Sequence, residues 1–311
     1  MLSGAAFALV LPLAACLNIR ERLAEQPVTR VTAQPVDQAC DAPEQTERRL
    51  SGAYLRQSDA SGLTFVPVLV TGRENRNGLT EDVTIVDESQ SEKVDDKRGT
   101  IAVGKREAIA KARSGFGPAD TLPNVYDVTY TTRAATFRGP MVLGPGAFLD
   151  EIPNSGARLF SGQIAITLIS QDDDGAQSES RSTGQFSLQA GYGSARASLT
   201  ASGFDESLPF DSLQWTNLFL CGTRFVSSGQ GVVTVSEDGS PALPPFKTDR
   251  ETPAFTALFE SSLFAPEERP GPPVSIGGIF VIQSDNGTLI GALLSDQPVP
   301  PVVIEEEDTD A

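Results

Sequence analysis

Residues 277–294 read Gly277-Gly278-Ile279-Phe280-Val281-Ile282-Gln283-Ser284-Asp285-Asn286-Gly287-Thr288-Leu289-Ile290-Gly291-Ala292-Leu293-Leu294. Two apolar runs flank a short polar break. Asn286-Gly287 inside that break suits a type I′ hairpin turn, whose two central residues both take positive φ. The stretch therefore predicts an antiparallel hairpin with arms at 277–282 and 288–294. Gly277-Gly278 within the first arm reads as a bulge or a sharp corner where a Cβ would collide.

The same grammar repeats upstream. Tyr126, Val128 and Tyr130 fall on one face, with Asp127, Thr129 and Thr131 on the other. Gly162, Ile164, Ile166 and Leu168 share a face, as do Phe186, Leu188 and Ala190, and then Ala197, Leu199 and Ala201. Further strand-like segments lie at 63–71, 83–86, 100–103, 215–225, 232–235 and 255–259, joined through Gly, Asp, Asn, Ser and Pro. Pro67 places its segment at an edge or a bulge. Residues 105–113 (Lys-Arg-Glu-Ala-Ile-Ala-Lys-Ala-Arg) predict a helix of about two turns, with Gly115 as its stop. Many short antiparallel strands at this spacing imply an all-β fold. We expect an antiparallel β-barrel of about eight strands, a smaller irregular β-rich N-terminal region and long flexible termini.

The N-terminus carries its own message. An apolar run over residues 5–13 precedes Ala14-Ala15-Cys16. The run is too short to span a bilayer, which takes about 20 apolar residues, and a short apolar core before small residues is what a signal peptidase reads. Leu13-Ala14-Ala15-Cys16 also matches the bacterial lipobox, in which the cysteine is acylated. Residues 1–15 are thus expected to be a lipoprotein signal peptide. Cys16 is the expected lipidation site, joining the chain to a lipid bilayer through several acyl chains that anchor far better than one. Leu17 rather than Asp after the cysteine points to the outer membrane.

Composition narrows the chemistry. The chain has 311 residues, 41 acidic against 24 basic, a net charge of −17 and no histidine. An acidic surface repels phosphate backbones, which argues against nucleic acid, and disfavours docking on anionic headgroups. Without histidine, Ser-His-Asp and Cys-His hydrolases and His-ligated zinc peptidases are excluded. The sequence implies no catalytic residue, no metal and no cofactor. Once Cys16 is acylated, Cys40 and Cys221 are the remaining thiols, in a compartment where disulfides persist. A bridge between them would contribute roughly 5 kcal/mol by loop entropy as an upper figure. The alternative is a buried Cys221 and an exposed Cys40, unpaired.

The expected organisation is a lipidated cysteine and flexible tether at 16–48, a small β-plus-short-helix region at 49–120, the barrel at 121–297 and a disordered acidic tail at 298–311. The tether holds Pro27, Pro35 and Pro43 among mixed charges; as a random coil of about 30 residues it would span some 30 Å. The tail runs from Pro298 into Glu305-Glu306-Glu307-Asp308.

Within the expected barrel the order of pieces is specific. Phe160-Ser161-Gly162 leads into an apolar run and an acidic loop, followed by Gly184-Gln185-Phe186-Ser187-Leu188 and Gly191-Tyr192-Gly193. Leu263-Phe264-Ala265-Pro266 stands near the end, then Ile276-Gly277-Gly278-Ile279-Phe280 and Ile290-Gly291-Ala292. Over residues 125–295 this resembles the barrel domain of transferrin-binding protein B and its relatives, surface lipoproteins that include the factor H binding proteins. Their last strands carry a Phe-(Tyr/Phe)-Gly-Pro-x-Ala stretch, a Gly-Gly-x-Phe strand and a Val-x-Gly strand. Here the glycine of the first stretch is missing, since Ala265-Pro266 follow Phe264 directly. The resemblance implies a barrel and a binding role through loops. No ligand-contacting residue carries over.

Other candidates have bland readings beside them. Ser170, Asp172, Asp174 and Gly175 imitate the start of a calcium loop, but Arg181 stands where a bidentate Glu is needed, so a solvated hairpin loop is the simpler reading. The carboxylate pairs Asp150/Glu151 and Asp205/Glu206 could serve glycoside hydrolysis, or merely solvate the surface. Tyr192 reads as a turn aromatic capping the barrel, Trp215 as core. Lys105, Arg106, Lys111 and Arg113 form a basic cluster, either an anion-docking spot or a solvated face. The function expected is a non-catalytic module at the cell envelope that binds a protein or small molecule. The alternative is a structural or assembly lipoprotein facing the periplasm.

Overall fold

Most of the described residues lie in strands, many with one face buried and the other open. The computed structural model describes residues 49–59, 65–74, 80–87, 90–94, 100–103, 106–118, 121–131, 135–171, 177–227, 232–237, 240–241, 256–266, 271–284 and 287–296. The expected signal peptide, Cys16, Cys40, the tether and the acidic tail lie outside the described residues. So do most of the calcium-like loop (172–176) and Lys105.

Two antiparallel sheets make the fold. The first contains β1 (Arg49–Ser58), β2 (Phe65–Glu74), β3 (Thr80–Asp87), β4 (Gln90–Val94), β5 (Thr100–Val103), β6 (Arg106–Ala112), β7 (Asn124–Thr131) and β8 (Thr136–Pro145), in the order β4-β3-β2-β1-β8-β7-β6-β5. Pro67 pairs with Leu55 of β1, while β3 takes up β2 only from Leu69 onward. The proline therefore sits where one side of its strand has no ladder, as its missing N–H requires.

The second sheet contains β9 (Ala157–Gln171), β10 (Gln177–Gly191), β11 (Arg196–Ser202), β12 (Ser212–Cys221), β13 (Arg224–Val226), β14 (Val232–Glu237), β15 (Ser240–Pro241), β16 (Thr256–Phe264), β17 (Ser275–Ser284) and β18 (Gly287–Ser295). The ladder runs β11-β10-β9-β18-β17-β16-β13-β12, and β12 returns to pair with β11. Eight strands thus close a barrel, while β14 and β15 extend from β12. Ile164, Ile166, Leu168, Phe186, Leu188, Ala190, Ala197, Leu199 and Ala201, the faces read from alternation, all line its interior. Trp215 fills the centre, its ring centroid 5.5 Å from Phe259 and 5.8 Å from Phe280. Asn217 takes φ 57°, which lets both Trp215 and Leu218 point inward along β12.

The first sheet packs on the outside of this barrel. All nine positions of β18 are buried: Leu289 and Leu293 face the barrel interior, whereas Ile290, Ala292 and Leu294 join Ala53, Leu55, Phe65, Val125 and Val142 of the first sheet. Each fully buried Leu or Ile there contributes on the order of 2 kcal/mol. The Ser51 and Ser262 hydroxyls hydrogen-bond across the junction at 3.2 Å.

Several expectations are corrected. Residues 106–112 are strand β6 and not a helix, with Ile109 opposite Thr129 and Ala112 opposite Tyr126. Alanine and lysine favour helix only weakly, and a sheet edge offering ladder hydrogen bonds overrides that preference over seven residues. β7 and β8 belong to the first sheet, so the boundary between the sheets falls between Pro145 and Ala157 rather than at residue 120. Gly277-Gly278 is not a bulge: Gly277 pairs with Leu294 and Ser262, and Gly278 with Leu293 and Ser261, in unbroken register. Close approach explains the first glycine. A Cβ on Gly277 would overlap the Val142 side chain and lie 2.8 Å from the Phe264 ring. The hairpin register pairs Ser284 with Gly287, one residue off the Asn-Gly turn, because facing interior and junction side chains fix which residues can lie opposite.

Candidate binding end of the barrel

One end of the barrel gathers the most unusual surface. Pairings of Ala157 with Gly191, Gly162 with Ser295, Arg196 with Phe219, Cys221 with Arg224 and Phe264 with Ser275 bring those strand ends together. The connections there are 146–156, 192–195, 222–223 and 265–274. The first holds a single 3₁₀ turn, Leu149–Glu151. The Glu151 carboxylate accepts hydrogen bonds from the Phe148 N–H at 2.8 Å and the Gly271 N–H at 3.0 Å, tying two connections together.

Apolar surface is exposed at this end. Leu149 is 59% exposed and Leu159 65%, the large hydrophobic residues most open to solvent among the described residues. Leu159 stands on the outer face of β9, out of phase with the inward Phe160, Gly162 and Ile164. On the inner face of the same strand, the Arg158 guanidinium lies 5.3 Å from the Phe160 ring centroid. On the neighbouring outer wall, Arg196 lies 5.1 Å over Phe219.

Tyr192 closes the rim as a turn aromatic, its N–H donating to the Gly156 carbonyl at 3.0 Å and its ring packed into the barrel core. It is only 6% exposed, and its hydroxyl has no hydrogen-bond partner. Burial pushes that hydroxyl's pKa up, and the nearby positive charge of Arg158 opposes the shift. An orphaned buried hydroxyl is a liability for stability. Tyr192→Phe is therefore expected to stabilise the fold by about 1 kcal/mol, read as a higher urea midpoint with an unchanged slope. A lower midpoint would mean that the hydroxyl is satisfied in solution.

The outer wall on β12, β13 and β16 holds a buried ion pair. Arg224 Nη1 and Glu260 Oε1 are 2.6 Å apart, with side chains 14% and 9% exposed. Burial raises the Glu260 carboxyl to about 7, with Arg224 working against the shift through its charge and its hydrogen bond. Cys221 lies beside Arg224, with the Nη2-to-sulfur distance at 3.9 Å. Cys221 is disulfide-bonded, and its partner lies outside the described residues.

The other sequence candidates do not converge. Asp150/Glu151 lies at the end just described, whereas Asp205/Glu206 lies in the β11–β12 connection at the opposite end. Asp205 accepts the Ser207 N–H at 3.0 Å, and hydrogen bonds from Ser207 lower its pKa. It caps a turn. Arg113 of the basic cluster is 3.3 Å from the Asp127 carboxylate, and Lys111 is exposed. No group of three or more His, Cys, Asp or Glu side chains suited to a metal ion occurs among the described residues. Leu149, Arg158 and Leu159 escaped sequence reading, although Leu159 carried a signal: a leucine on the polar phase of an otherwise regular strand.

No protein-family model and no curated protein matches the sequence. Among solved structures, the chain is similar to a transferrin-binding protein B double mutant from Haemophilus parasuis Hp5, at 13% identity and a TM-score of 0.46 over 82% of this chain and 46% of that one. It is similar to intact Ap-TbpB, with its N and C lobes, at 14% identity and 0.43 over 81% and 47%. It is also similar to isotype 1 transferrin-binding protein B from serogroup B Neisseria meningitidis, at 10% identity and 0.38 over 74% and 53%. The chain thus spans about half the length of these structures.

Proposed function

We propose that this chain is a non-catalytic binding module of the bacterial cell envelope, held at the outer membrane through acylated Cys16, which takes a protein ligand at the barrel end bearing Leu149 and Leu159. In this reading a bridge between Cys40 and Cys221 ties the tether to the barrel wall. The observation that carries the proposal is the exposure of two large leucines around the rim. In this reading the two open leucines, at the barrel end that also carries Arg158 and Arg196, are the apolar part of the contact surface. The outer-membrane anchor and the ligand-binding role follow the lipobox and the motif resemblance at 263–266 and 276–280.

The test is capture by the full chain immobilised on beads, against serum proteins and against an envelope extract, with the double variant Leu149→Glu/Leu159→Glu in parallel. Both substitutions are at exposed positions and leave folding stability within about 0.5 kcal/mol. Saturable capture that falls at least tenfold in the variant is the expected result. Capture indifferent to the variant, or none from either source, overturns the assignment of this end. Capture confined to envelope proteins would place the chain among assembly lipoproteins of the periplasmic face.

A further inference from the structure

Arg158 and Arg196 each lie over an aromatic ring with no carboxylate partner among the described residues, and of the two only Arg158 is half-buried. Arg224 is bound to Glu260, Arg113 to Asp127, Arg181 to Glu179, and Arg138 Nε donates to Gln57 Oε1. Arg158 is half-buried, yet its contacts among the described residues are the face of Phe160 and the nearby Tyr192; no carboxylate pairs with it. The chain has 41 acidic side chains for 24 basic ones, so an unpaired arginine is not for want of acids. A guanidinium stacked on a ring keeps its planar fork of N–H donors free in the plane, the geometry that takes a carboxylate through two parallel hydrogen bonds.

Tyr192 supplies the second observation. Its hydroxyl is an unpartnered donor on a side chain more than nine-tenths buried, at the same rim. Arg158 pairs with Ala190 across β9 and β10, two residues before Tyr192; Arg158 shares the inward phase of Phe160, and the Tyr192 ring packs into the barrel core. A cationic fork and an orphaned hydroxyl thus stand at the same rim, where Leu149 in the 146–156 connection and Leu159 on the outer face of β9 are open to solvent.

We propose that this rim receives a carboxylate carried by a protein partner, held between the Arg158 guanidinium and the Tyr192 hydroxyl, with apolar side chains of the same partner segment resting on Leu149 and Leu159. The inference rests on the binding-module reading and names the chemistry of its partner. A carboxylate satisfies both donors at once, which an apolar group cannot do. The barrel centre is filled by Trp215, Phe259 and Phe280, so a ligand gains little by depth and must gain contact by breadth across the rim. That favours a segment of a protein over a free small acid.

The experiment uses the full chain and a dye-labelled peptide of alternating Leu and Glu, followed by fluorescence anisotropy. The controls are the same peptide with Gln for Glu, and sodium acetate as competitor. Saturable binding of the Leu/Glu peptide, at least tenfold tighter than the Leu/Gln peptide, is expected. Arg158→Gln and Tyr192→Phe should each weaken it about tenfold, and Arg158→Lys should lose less than Arg158→Gln. Equal binding of the two peptides, or a Leu/Glu affinity untouched by Arg158→Gln, overturns the proposal. So does acetate that competes at the peptide's own concentrations, because a free acid would then suffice. The peptide comparison on the unaltered chain is independent of variant folding. If no peptide binds while Leu149→Glu/Leu159→Glu still abolishes protein capture, the carboxylate inference fails and the binding-module reading stands.

Discussion

Arg224→Met is expected to destabilise the protein by about 3–5 kcal/mol at pH 8, and by progressively less as the pH falls toward 5. The substitution keeps the apolar volume of the stem and removes the charge that compensates Glu260. Glu260 is buried, and its carboxyl already titrates near 7 against an ordinary value of 4.5 because burial disfavours its ionised form more than Arg224 favours it. A carboxyl raised in the folded state binds protons there that the unfolded chain releases. Its contribution to stability is therefore complete below about 4.5 and is lost as pH rises through about 7. Over that window the loss is of order 3 kcal/mol. Without Arg224 the folded chain at pH 8 must either bury a bare carboxylate or draw a proton from dilute solution, and both are costly. Glu260→Gln separates the terms: it should match the parent at pH 5 and gain on it as pH rises to 8. Urea titrations of the three proteins at pH 5, 6.5 and 8 check this. A cost for Arg224→Met that does not change with pH would show that Glu260 is not the group left uncompensated.

Gly277→Val should cost about 3 kcal/mol, and the damage should fall on the junction between the two sheets. The added side chain would enter the space taken by Val142 of β8 and the Phe264 ring, both wholly buried. Neither can swing into solvent, so the sheets must part or the ladder must bend. Its neighbour is the control. A Cβ on Gly278 would meet Glu260 O and the Ser261 Cβ at 3.2 Å and the Phe259 ring at 3.3 Å, a tight fit that small shifts accommodate. Gly278→Ala is expected to cost less than half as much. Limited proteolysis of Gly277→Val should cut within residues 49–145 well before the barrel. Equal resistance of both regions would mean that the junction absorbs the extra atoms.

Where one face of a strand is buried and the other wet, the sequence declared it. The alternations at 186–190 and 197–201 name the barrel interior residue by residue. Strands covered on both faces were readable as strands only. Ile290 and Leu293 are chemically alike, yet one meets the first sheet and the other the barrel core, and no period separates them. β8 was hidden by its own composition, since Gly139, Pro140, Gly144 and Pro145 resemble turn residues. Two of these have a packing reason: a Cβ at Gly139 would overlap the Leu55 carbonyl, and one at Gly144 would press on Pro123 and Phe264. β6 misled in the opposite way, because short stretches of Ala and Lys carry helix propensity too weak to survive a neighbouring ladder. The rim was partly legible. Tyr192 announced itself between two glycines, but the isolation of Arg158 depends on which carboxylates fall near it, and pairing across 30 or more residues leaves no local trace.

The closure of the barrel also sets a timetable. β18 is inserted between β9 and β17, so the first strand of the barrel is joined to its last, Gly162 opposite Ser295. The first sheet repeats the arrangement, with β1 waiting for β8. A chain emerging N-terminus first would hold β9 to β12 as an unfinished ribbon with two open edges, and those edges invite pairing with other chains. Contacts so distant along the chain are slow to form, because the loop must close before any reward arrives. The protein's most vulnerable interval is thus the time between the appearance of the first barrel strand and the arrival of the last, and anything that shields open edges during that interval decides how much of it folds.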